Sequence, residues 1–362
     1  EIDGGDFEAV LDRTLALADW DGFAARAATA RARGRRRGRG LAYYLGLTGG
    51  KRFECVDVRV EDDGGLTLAL GSESAGTSHE TVMPQILASH LGISAQRVAH
   101  RQADTALTPK GGGHGGSRGL EVAGSAVARA AERMVEKAEA IASHLLEAAA
   151  ADLVFAAGRF TVTGTDRAVT MAEVIAASVD AAQVPPALLH SLDVALENEQ
   201  ERLSYPNGCH IAEVEVDPET GAVAVVDYAV VHDLGTILHR AVVDGQVMGA
   251  TAQGIGQALS EGIVFDRDSG QLLSGSLMDY ALPRAAQLPN FRTGYFEDAP
   301  CANNPLGVKG VGEAGCGGAP PAIVSAVVDA LADLGVTHID MPLGPERVWR
   351  AIQKARGSGA GE

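Results

Sequence analysis

The sequence predicts an α+β fold that contains two related subdomains. Two hairpin patterns, each followed by a loop and a helix, occur in the two halves of the 362-residue chain. A long amphipathic helix pattern lies between them. The chain is 46% hydrophobic, and many of its 45 glycines are clustered. This composition is typical of a folded protein with glycine-rich loops and excludes a chain that is disordered throughout.

The N-terminal residues 1–40 predict a helical lead-in. Residues 6–32 are rich in alanine and carry apolar side chains at helical spacing. Arginine then occupies six of the nine positions from Arg31 to Arg39. This stretch is either a solvated positive surface on an acidic protein or a docking surface for an acidic partner.

Residues 41–204 predict the first α+β subdomain. Apolar residues alternate over residues 52–70 around the turn sequence Asp62-Asp63-Gly64-Gly65, which indicates a β-hairpin. A small-residue loop over residues 71–80 leads into a short helix, and a glycine-rich loop over residues 110–118 precedes a helix predicted for residues 120–150. A second hairpin is predicted around residues 158–162.

We predict the second α+β subdomain over residues 205–353 and a frayed tail over residues 354–362. Asp217–Gly221 is the predicted turn of a hairpin between residues 212–216 and 222–228. A helix is predicted over residues 241–261. A further apolar helix is predicted to begin at Pro320-Pro321 and to run through Leu331.

The charge and cysteine content exclude several classes of function. With 47 acidic and 30 basic residues, the net charge is −17, which disfavours general binding to nucleic acid or to anionic membranes. The four cysteines are too widely spaced for a CxxC pair or an iron–sulfur cluster. No apolar stretch approaches the roughly 20 residues of a membrane span, and no hydrophobic signal segment opens the chain. We therefore expect a cytoplasmic location.

The densest glycine cluster predicts a functional loop. Six of the twelve positions from Gly307 to Gly318 are glycine, and the cluster contains Lys309 and a single carboxylate, Glu313. Because glycine at this density costs conformational entropy, it indicates the close approach of a ligand or a packed neighbour. Glu313 is either a loop carboxylate that favours the helix dipole or a catalytic base, and its position alone leaves both interpretations open.

A second loop, residues 111–118, lies before the N-terminus of the long predicted helix. Unpaired backbone N–H groups at such a terminus favour an anion, and Ser117 and Arg118 add a hydroxyl donor and a cation suited to phosphate. The loop matches neither the P-loop nor the dinucleotide fingerprint. A flexible glycine turn is the alternative interpretation.

Three glutamines, Gln246, Gln253 and Gln257, share one face of the helix predicted over residues 241–261. Glycines lie among them, which implies the close approach of another backbone or of a polycyclic ligand. The amides either bind heteroatoms of such a ligand or face solvent. The histidines of the chain show no metal-ligand spacing, so ordinary polar or core positions are expected for most of them.

Four motifs together resemble one enzyme family. They are residues 304–315 (NPLGVKGVGEAG), 275–284 (GSLMDYALPR), 254–259 (GIGQAL) and 339–349 (IDMPLGPERVW). The chain resembles the xanthine dehydrogenase/aldehyde oxidase family, and in particular the molybdopterin-binding large subunits of the carbon monoxide dehydrogenase type. The resemblance runs from about Gly40 to Ile352 and corresponds to the C-terminal half of such a subunit.

This resemblance implies the molybdenum-cofactor-binding domain of a hydroxylase that adds water-derived oxygen to an aldehyde, an N-heterocycle or carbon monoxide. The implied cofactor is molybdopterin, in bacteria often as its cytosine dinucleotide, with molybdenum held through the pterin and by no side chain of this chain. The implied partners are the N-terminal half of the large subunit, a [2Fe-2S] subunit and an FAD subunit, since this chain contains no redox carrier of its own.

The resemblance also implies residue roles. Glu313 falls on the family's glutamate base, on a glycine-lined loop where a dry environment would favour proton acceptance. The implied cofactor-binding residues are Gly76, Thr77, His79, Gly113, Ser117, Arg118, Gln246, Gln253, Lys309, Gly310, Val311 and Gly312.

The chain departs from the family pattern at several positions. Thr77 replaces a cofactor-facing glutamine, and further departures are Leu234, His239, Arg240 and Met248. They motivate an alternative in which the chain is a structural or assembly subunit that keeps the fold without the chemistry. A third interpretation is an unrelated phosphate-ligand binder that uses only the loop at Gly111.

Overall fold

The computed structural model describes residues 2, 5–108 and 110–358. The helices in this part of the chain are α1 (Phe7–Leu17), α2 (Phe23–Ala32), α3 (His79–Leu91), α4 (Ser125–Leu146), α5 (Met171–Ala177), α6 (Arg240–Leu259), α7 (Ala314–Leu331) and α8 (Pro345–Ser358). The strands are β1 (Arg36–Leu45), β2 (Phe53–Val60), β3 (Leu66–Leu70), β4 (Val98–Arg101), β5 (Leu153–Ala156), β6 (Arg159–Val162), β7 (Ala168–Thr170), β8 (Val194–Glu199), β9 (Asn207–Val216), β10 (Val223–Asp233) and β11 (Phe291–Phe296).

The chain divides into two compact units. Unit 1 contains the residues up to Leu47, Tyr205–Pro300 and the residues from Val311 onward, whereas unit 2 contains Thr48–Ser204 and Cys301–Gly310. This division differs from the predicted boundaries at three places. Residues 41–47 lie in unit 1, although they were predicted in the first subdomain. The lead-in does not stand apart, because it belongs to unit 1, and residues 301–310 belong to unit 2 although they were predicted in the second subdomain.

Unit 1 is built on a four-stranded sheet in the order β1-β9-β10-β11. The β9–β10 hairpin is antiparallel and turns at residues 217–222, as predicted. Helix α6 follows the hairpin, and β11 then pairs parallel to β10. Strand β1 pairs antiparallel to the other side of β9.

Unit 2 repeats this sheet arrangement, although its outer strand β8 follows the hairpin in the chain whereas β1 precedes it. The β2–β3 hairpin is followed by α3 and by β4, which pairs parallel to β3, and β8 pairs antiparallel to β2. The sheet order is therefore β4-β3-β2-β8. A small antiparallel sheet, β5-β6-β7, contains the predicted hairpin near Gly158. The two units confirm the predicted α+β class.

The core of unit 1 lies between its sheet and α7. Alternate β9 residues such as Ala212 and Val214 pack with Ile323 and Val327 of α7, whereas Ile211 and its neighbours on the opposite face pack with α1. By length and composition, residues 314–334 would suffice to cross a membrane, but more than half of the qualifying window is buried inside the protein. Helix α7 is thus a core helix of unit 1.

Glycines in β1 permit the close packing of α7. A Cβ at Gly38 or Gly40 would overlap backbone atoms of α7 at Ala326 or Ala322, respectively. Strand β1 was not predicted, because the arginines around these glycines obscure the two-residue period of a strand.

Helix boundaries differ from the predictions at three places. The first predicted helix is broken near Asp19, whose φ of 49° is left-handed, giving α1 and α2. Helix α7 begins at Ala314, before the prolines predicted to start it. The predicted tail is helical in α8 as far as Ser358, and residues 359–362 lie outside the described residues.

The arginine stretch is paired with carboxylates of its own unit. Arg37 binds Glu213 at 2.7 Å and Glu215 at 3.3 Å, both on β9, and Arg35 binds Asp217 at 2.6 Å. Glu213 also binds Arg26 of α2 at 2.7 Å. These pairs explain the positive run as part of the β1–β9 pairing, so a docking surface is not required to account for it.

Candidate cofactor site

Two of the predicted loops lie side by side in unit 2. The first loop (Gly71–Ser78) follows β3, and the second loop (residues 110–117) precedes α4. A Cβ at Gly71 would lie 2.5 Å from the Cα of Gly111, and Ser72 Oγ donates to the Gly113 carbonyl at 3.0 Å. Only glycine at these positions allows the backbones to approach so closely.

His79 connects the end of the first loop to the second loop. A Cβ at Gly119 would lie 2.5 Å from His79 Nε2, and the ring of His114 lies edge-on to that of His79 with centroids 6.3 Å apart. Burial, with a contribution from the neighbouring His114, lowers the pKa of His79 to about 4. Its imidazole is therefore neutral near pH 7. Its buried Nδ1 has no hydrogen-bond partner among the described residues.

A third loop (Cys301–Gly310) reaches the second loop at Ser117. A Cβ at Gly310 would lie 2.8 Å from Ser117 Cβ and 2.7 Å from Thr48 Oγ1. Gly116 and Ser117 both adopt left-handed conformations, with φ of 83° and 62°. Left-handed backbone at a non-glycine residue is strained and is often found at functional sites. Segments at His79, Ser117 and Gly310 therefore come together in unit 2.

The predicted role of Arg118 as a direct phosphate contact needs correction. Its side chain is fully buried against Glu54, with an Nη2–Oε2 distance of 3.3 Å. Its Nη atoms also donate to Ser72 Oγ at 3.0 Å, to the Phe53 carbonyl at 2.7 Å and to the carbonyl of Gly113. Because these partners occupy the guanidinium, Arg118 holds the two loops together and presents no fork to an anion.

Sequence reasoning missed Glu121, which lies in a π-helical turn (Gly119–Gly124) before α4. Its fully buried carboxylate accepts from Ser204 N at 2.9 Å, Ser204 Oγ at 2.6 Å and Gln200 Nε2 at 3.0 Å. Such turns often mark functional sites. The signal in the sequence was a single carboxylate among small and apolar residues.

Asn304 organises the third loop and was also not assigned a role from sequence. Its Oδ1 accepts from Leu306 N at 3.2 Å and Val308 N at 3.1 Å, and its Nδ2 donates to the Val308 carbonyl at 2.8 Å. These hydrogen bonds hold the turn that precedes Lys309. Lys309 itself is only 3% exposed.

Glu313 lies in unit 1 at the N-cap of α7. Its carbonyl accepts from Gly317 N at 3.2 Å, and its side chain makes no capping hydrogen bond to the helix. The residue is exposed in the described structure. The dry environment expected for this carboxylate is therefore not provided by the described part of the chain. Val311 and Gly312, which precede it, are half-buried.

Helix α6 places the predicted amides beside the start of α7. A Cβ at Gly315 would lie 2.5 Å from Thr251 N and from the Val247 carbonyl oxygen, and a Cβ at Gly254 would lie 2.7 Å from Ala319 Cβ. The two helices thus approach closely at glycines, which agrees with the prediction that another backbone approaches α6 there. On α6, Gln246 is half-buried and Gln253 is exposed.

The fold and the glycine-rich loops, whose backbones approach one another closely, are typical of a cofactor-binding domain. A family model described as molybdopterin cofactor-binding domain matches residues 13–289, more than half of the chain. The chain belongs to this molybdopterin cofactor-binding family, as expected from the sequence motifs.

Several curated proteins are similar over nearly the whole chain. It is 36% identical over 97% of its length to 6-hydroxypseudooxynicotine dehydrogenase complex subunit gamma of Paenarthrobacter nicotinovorans, of which it covers 44%. It is 33% identical over 98% of its length to the carbon monoxide dehydrogenase large chain of Hydrogenophaga pseudoflava, of which it covers 46%. The chain therefore spans less than half the length of these relatives.

Solved structures show the same fold. A Cu,Mo-CO dehydrogenase matches with a TM-score of 0.91 and 29% identity, and quinoline 2-oxidoreductase from Pseudomonas putida 86 matches with 0.89 and 35% identity. The matches cover 98% and 97% of this chain and 46% of each of those chains.

The loops of unit 2 fit a large, polar cofactor. A Cβ added at Gly76, Gly113 or Gly115 would have no described heavy atom within 4 Å, apart from atoms of the glycine itself and of its chain neighbours. His79, which follows the first loop, is buried, and its Nδ1 has no hydrogen-bond partner among the described residues. Backbone groups and a neutral imidazole are suited to a multi-ring ligand rich in hydrogen-bonding atoms.

Proposed function

We propose that this chain is the C-terminal, cofactor-binding half of the large subunit of a molybdenum hydroxylase. The observation that carries the proposal is the convergence, at Ser117 and His79 in unit 2, of two predicted loops and of residues 307–310 of the predicted glycine cluster. Membership of the molybdopterin cofactor-binding family supports it, as do the dehydrogenase and oxidoreductase names of its relatives.

In this proposal, cofactor-binding roles are assigned within each unit. In unit 2 they fall to Gly76, Thr77, His79, Gly113, Ser117, Lys309 and Gly310. In unit 1 they fall to Gln246 and Gln253 of α6 and to Val311 and Gly312 before α7. Arg118 acts indirectly, by keeping the first two loops in register.

The cofactor would supply the redox chemistry, namely acceptance of two electrons from the substrate carbon. Glu313 acts as the general base, accepting at its carboxylate the proton of the water-derived nucleophile. The remaining enzyme must exclude water around it, because Glu313 is exposed in the described chain.

The cofactor in this proposal is molybdopterin or its cytosine dinucleotide. The partners are the N-terminal half of the large subunit, a [2Fe-2S] subunit and an FAD subunit, in a cytoplasmic complex. The substrate is an N-heterocycle, an aldehyde or carbon monoxide, in keeping with relatives named for nicotine, quinoline and carbon monoxide.

The experiment is to purify the complete complex through a tag on this chain, with wild-type Glu313 or with Glu313→Gln. Turnover is measured with carbon monoxide, nicotine, quinoline and an aromatic aldehyde, together with molybdenum per chain. We expect stoichiometric molybdenum in both proteins and a loss of turnover of at least about 100-fold in the variant, since general-base catalysis contributes that much.

The matched control is Glu346→Gln, which removes an exposed carboxylate on α8. It should retain wild-type turnover and molybdenum. Near-normal turnover by the Glu313→Gln complex would remove Glu313 from the mechanism. A complex that contains no molybdenum after expression with a cofactor supply would instead support the structural or assembly subunit suggested by Thr77, Leu234 and Met248.

A further inference from the structure

The first two turns of α7 are intrinsically weak. Residues 314–322 contain three glycines, at 315, 317 and 318, and two prolines, at 320 and 321. Glycine is less favourable than alanine in a helix, and each proline removes one backbone donor. Contacts from outside the helix must therefore hold these turns, which begin directly after Glu313.

His210 of β9 supplies such a contact. A Cβ at Gly318 would lie 2.6 Å from His210 Cγ and 2.7 Å from His210 Nε2, so the imidazole occupies the space that a side chain would take. His210 thus packs against α7 at Gly318, and its Nε2 makes no hydrogen bond among the described residues.

His210 is itself held by a buried cluster of aromatic residues. Its Nδ1 lies 2.7 Å from the hydroxyl of Tyr228, and its ring packs edge-on against His232 with centroids 5.1 Å apart. Tyr44 completes the cluster: its hydroxyl lies 2.9 Å from His232 Nδ1, and its ring lies 3.3 Å from the Cβ position of Gly317.

The cluster is rigid and uncharged. His210, Tyr228 and His232 are fully buried, and their strands are hydrogen-bonded neighbours. Burial lowers the pKa of His210 well below its ordinary value, with a contribution from His232, and burial lowers the pKa of His232 to about 3. Both imidazoles therefore stay neutral near pH 7 and pack as parts of the core.

We propose that His210 is a positioning residue, which fixes the first turn of α7 and thereby the carboxylate of Glu313. The inference rests on the proposed role of Glu313 as the base. The backbone N–H of Gly317 in this turn donates to the carbonyl of Glu313. A tilt of the turn therefore displaces the side chain of Glu313. A displacement of about 1 Å at a reacting group is enough to cost on the order of 100-fold in rate.

The test uses the complete complex with His210→Phe, which keeps a ring but removes the hydrogen bond with Tyr228, and with His210→Gln, which keeps a polar group that can bond Tyr228. We expect the kcat of His210→Phe to fall at least tenfold while its KM and molybdenum content stay at wild-type values. His210→Gln should recover part of the loss. Amide hydrogen exchange over residues 314–319 should be faster in His210→Phe and intermediate in His210→Gln.

Ile211→Val is the matched control, because Ile211 neighbours His210 on β9 but faces the opposite side of the sheet. It should lower the thermal midpoint without changing kcat or the exchange of residues 314–319. The inference is overturned if His210→Phe keeps wild-type kcat and exchange, or if Ile211→Val changes both equally.

The Glu313→Gln complex separates this inference from the proposed function. Full turnover by Glu313→Gln would overturn the base assignment and with it the purpose of the positioning. An inactive Glu313→Gln complex, together with His210→Phe at wild-type kcat, would overturn the positioning inference alone. If the base assignment and the positioning inference are both correct, adding His210→Phe to Glu313→Gln should not lower the residual turnover further.

Discussion

At the residue scale, the site depends on buried polar groups whose partners are distant in sequence. Burial raises the pKa of Glu54 and lowers that of Arg118, and the attraction between the two groups acts in the opposite sense. Ser72 binds both members of the pair. The pair joins β2 to the end of the second loop, and through Ser72 and the Gly113 carbonyl it holds the first two loops together.

Breaking this pair should destabilise unit 2. Arg118→Met leaves the carboxylate of Glu54 buried and uncompensated, which we expect to lower the free energy of unfolding by roughly 3–5 kcal/mol. Urea denaturation measures the change. The control is Arg133→Met, which removes an exposed partner of Glu136 and should shift the midpoint little. Equal shifts in the two variants would show that burial of the pair is unimportant.

The buried histidines predict a loss of stability in mild acid. The pKa values of His79 (about 4) and His232 (about 3) lie below the 6.5 of an exposed histidine. Between about pH 6.5 and 4 the unfolded chain therefore binds more protons than the folded chain, so stability falls as the pH falls. The expected slope is about 1 kcal/mol per pH unit for each histidine.

The measurement is urea denaturation of the wild-type chain and of His232→Gln between pH 8 and 5. The variant should show a shallower decline below pH 6.5, and the two slopes should agree above pH 7. A variant whose decline is as steep as that of the wild type would exclude His232 as a source of the pH dependence.

At the element scale, the packing of α6 against α7 depends on particular glycines rather than on glycine content. Gly315 faces backbone atoms of α6, and Gly254 faces Ala319 and Pro320. Gly249 of α6, in contrast, has no described neighbour within 4 Å of its Cβ position. The same residue type therefore has opposite consequences at these positions.

Two alanine substitutions test this contrast. Gly315→Ala should lower the free energy of unfolding by roughly 1–3 kcal/mol, because the added methyl group forces α6 and α7 apart. Gly249→Ala should raise it by about 0.5–1 kcal/mol, because it removes only the entropic cost of glycine in a helix. Thermal denaturation of both variants is the measurement. A stabilised Gly315→Ala variant would contradict the close packing.

At the scale of the whole molecule, the most unusual surface is an apolar arm over residues 263–282. Eight large apolar side chains of this arm are exposed: Ile263, Val264, Phe265, Leu272, Leu273, Leu277, Met278 and Leu282. Met278 alone is 93% exposed. Exposed apolar patches of this kind promote association and dye binding.

We therefore expect the isolated chain to bind a hydrophobic dye such as ANS and to scatter light at high concentration. The double variant Leu277→Ser with Met278→Ser should reduce both signals, with little change in the unfolding midpoint. Val154→Ser, which removes a single exposed apolar side chain in unit 2, is the control and should change neither signal. A wild-type chain that binds no dye would contradict this view of the arm.

Elements with local signals were predictable from the sequence alone. Turn residues at Asp62–Gly65 and Asp217–Gly221 predicted both main hairpins, and the helical period predicted the body of α4 and α6, because these patterns depend on neighbours within a few positions. The quoted motifs likewise sufficed to recognise the family. Strand β1 was missed, since the arginines that obscured it are neutralised by carboxylates about 180 positions away.

The pairing of distant residues follows from the folded structure and not from local patterns. Arg118, predicted as a phosphate ligand, is the buried partner of Glu54, 64 positions away, and Glu121 and His210 are buried polar groups to which the sequence assigned no role. Helix α7 also begins at Ala314, because packing against α6 and β9 supports turns that glycine and proline disfavour. These differences from the predictions have the same physical reason. Burial and hydrogen bonding between distant segments outweigh the local conformational preference of the residues, and a local sequence pattern does not encode those distant partners.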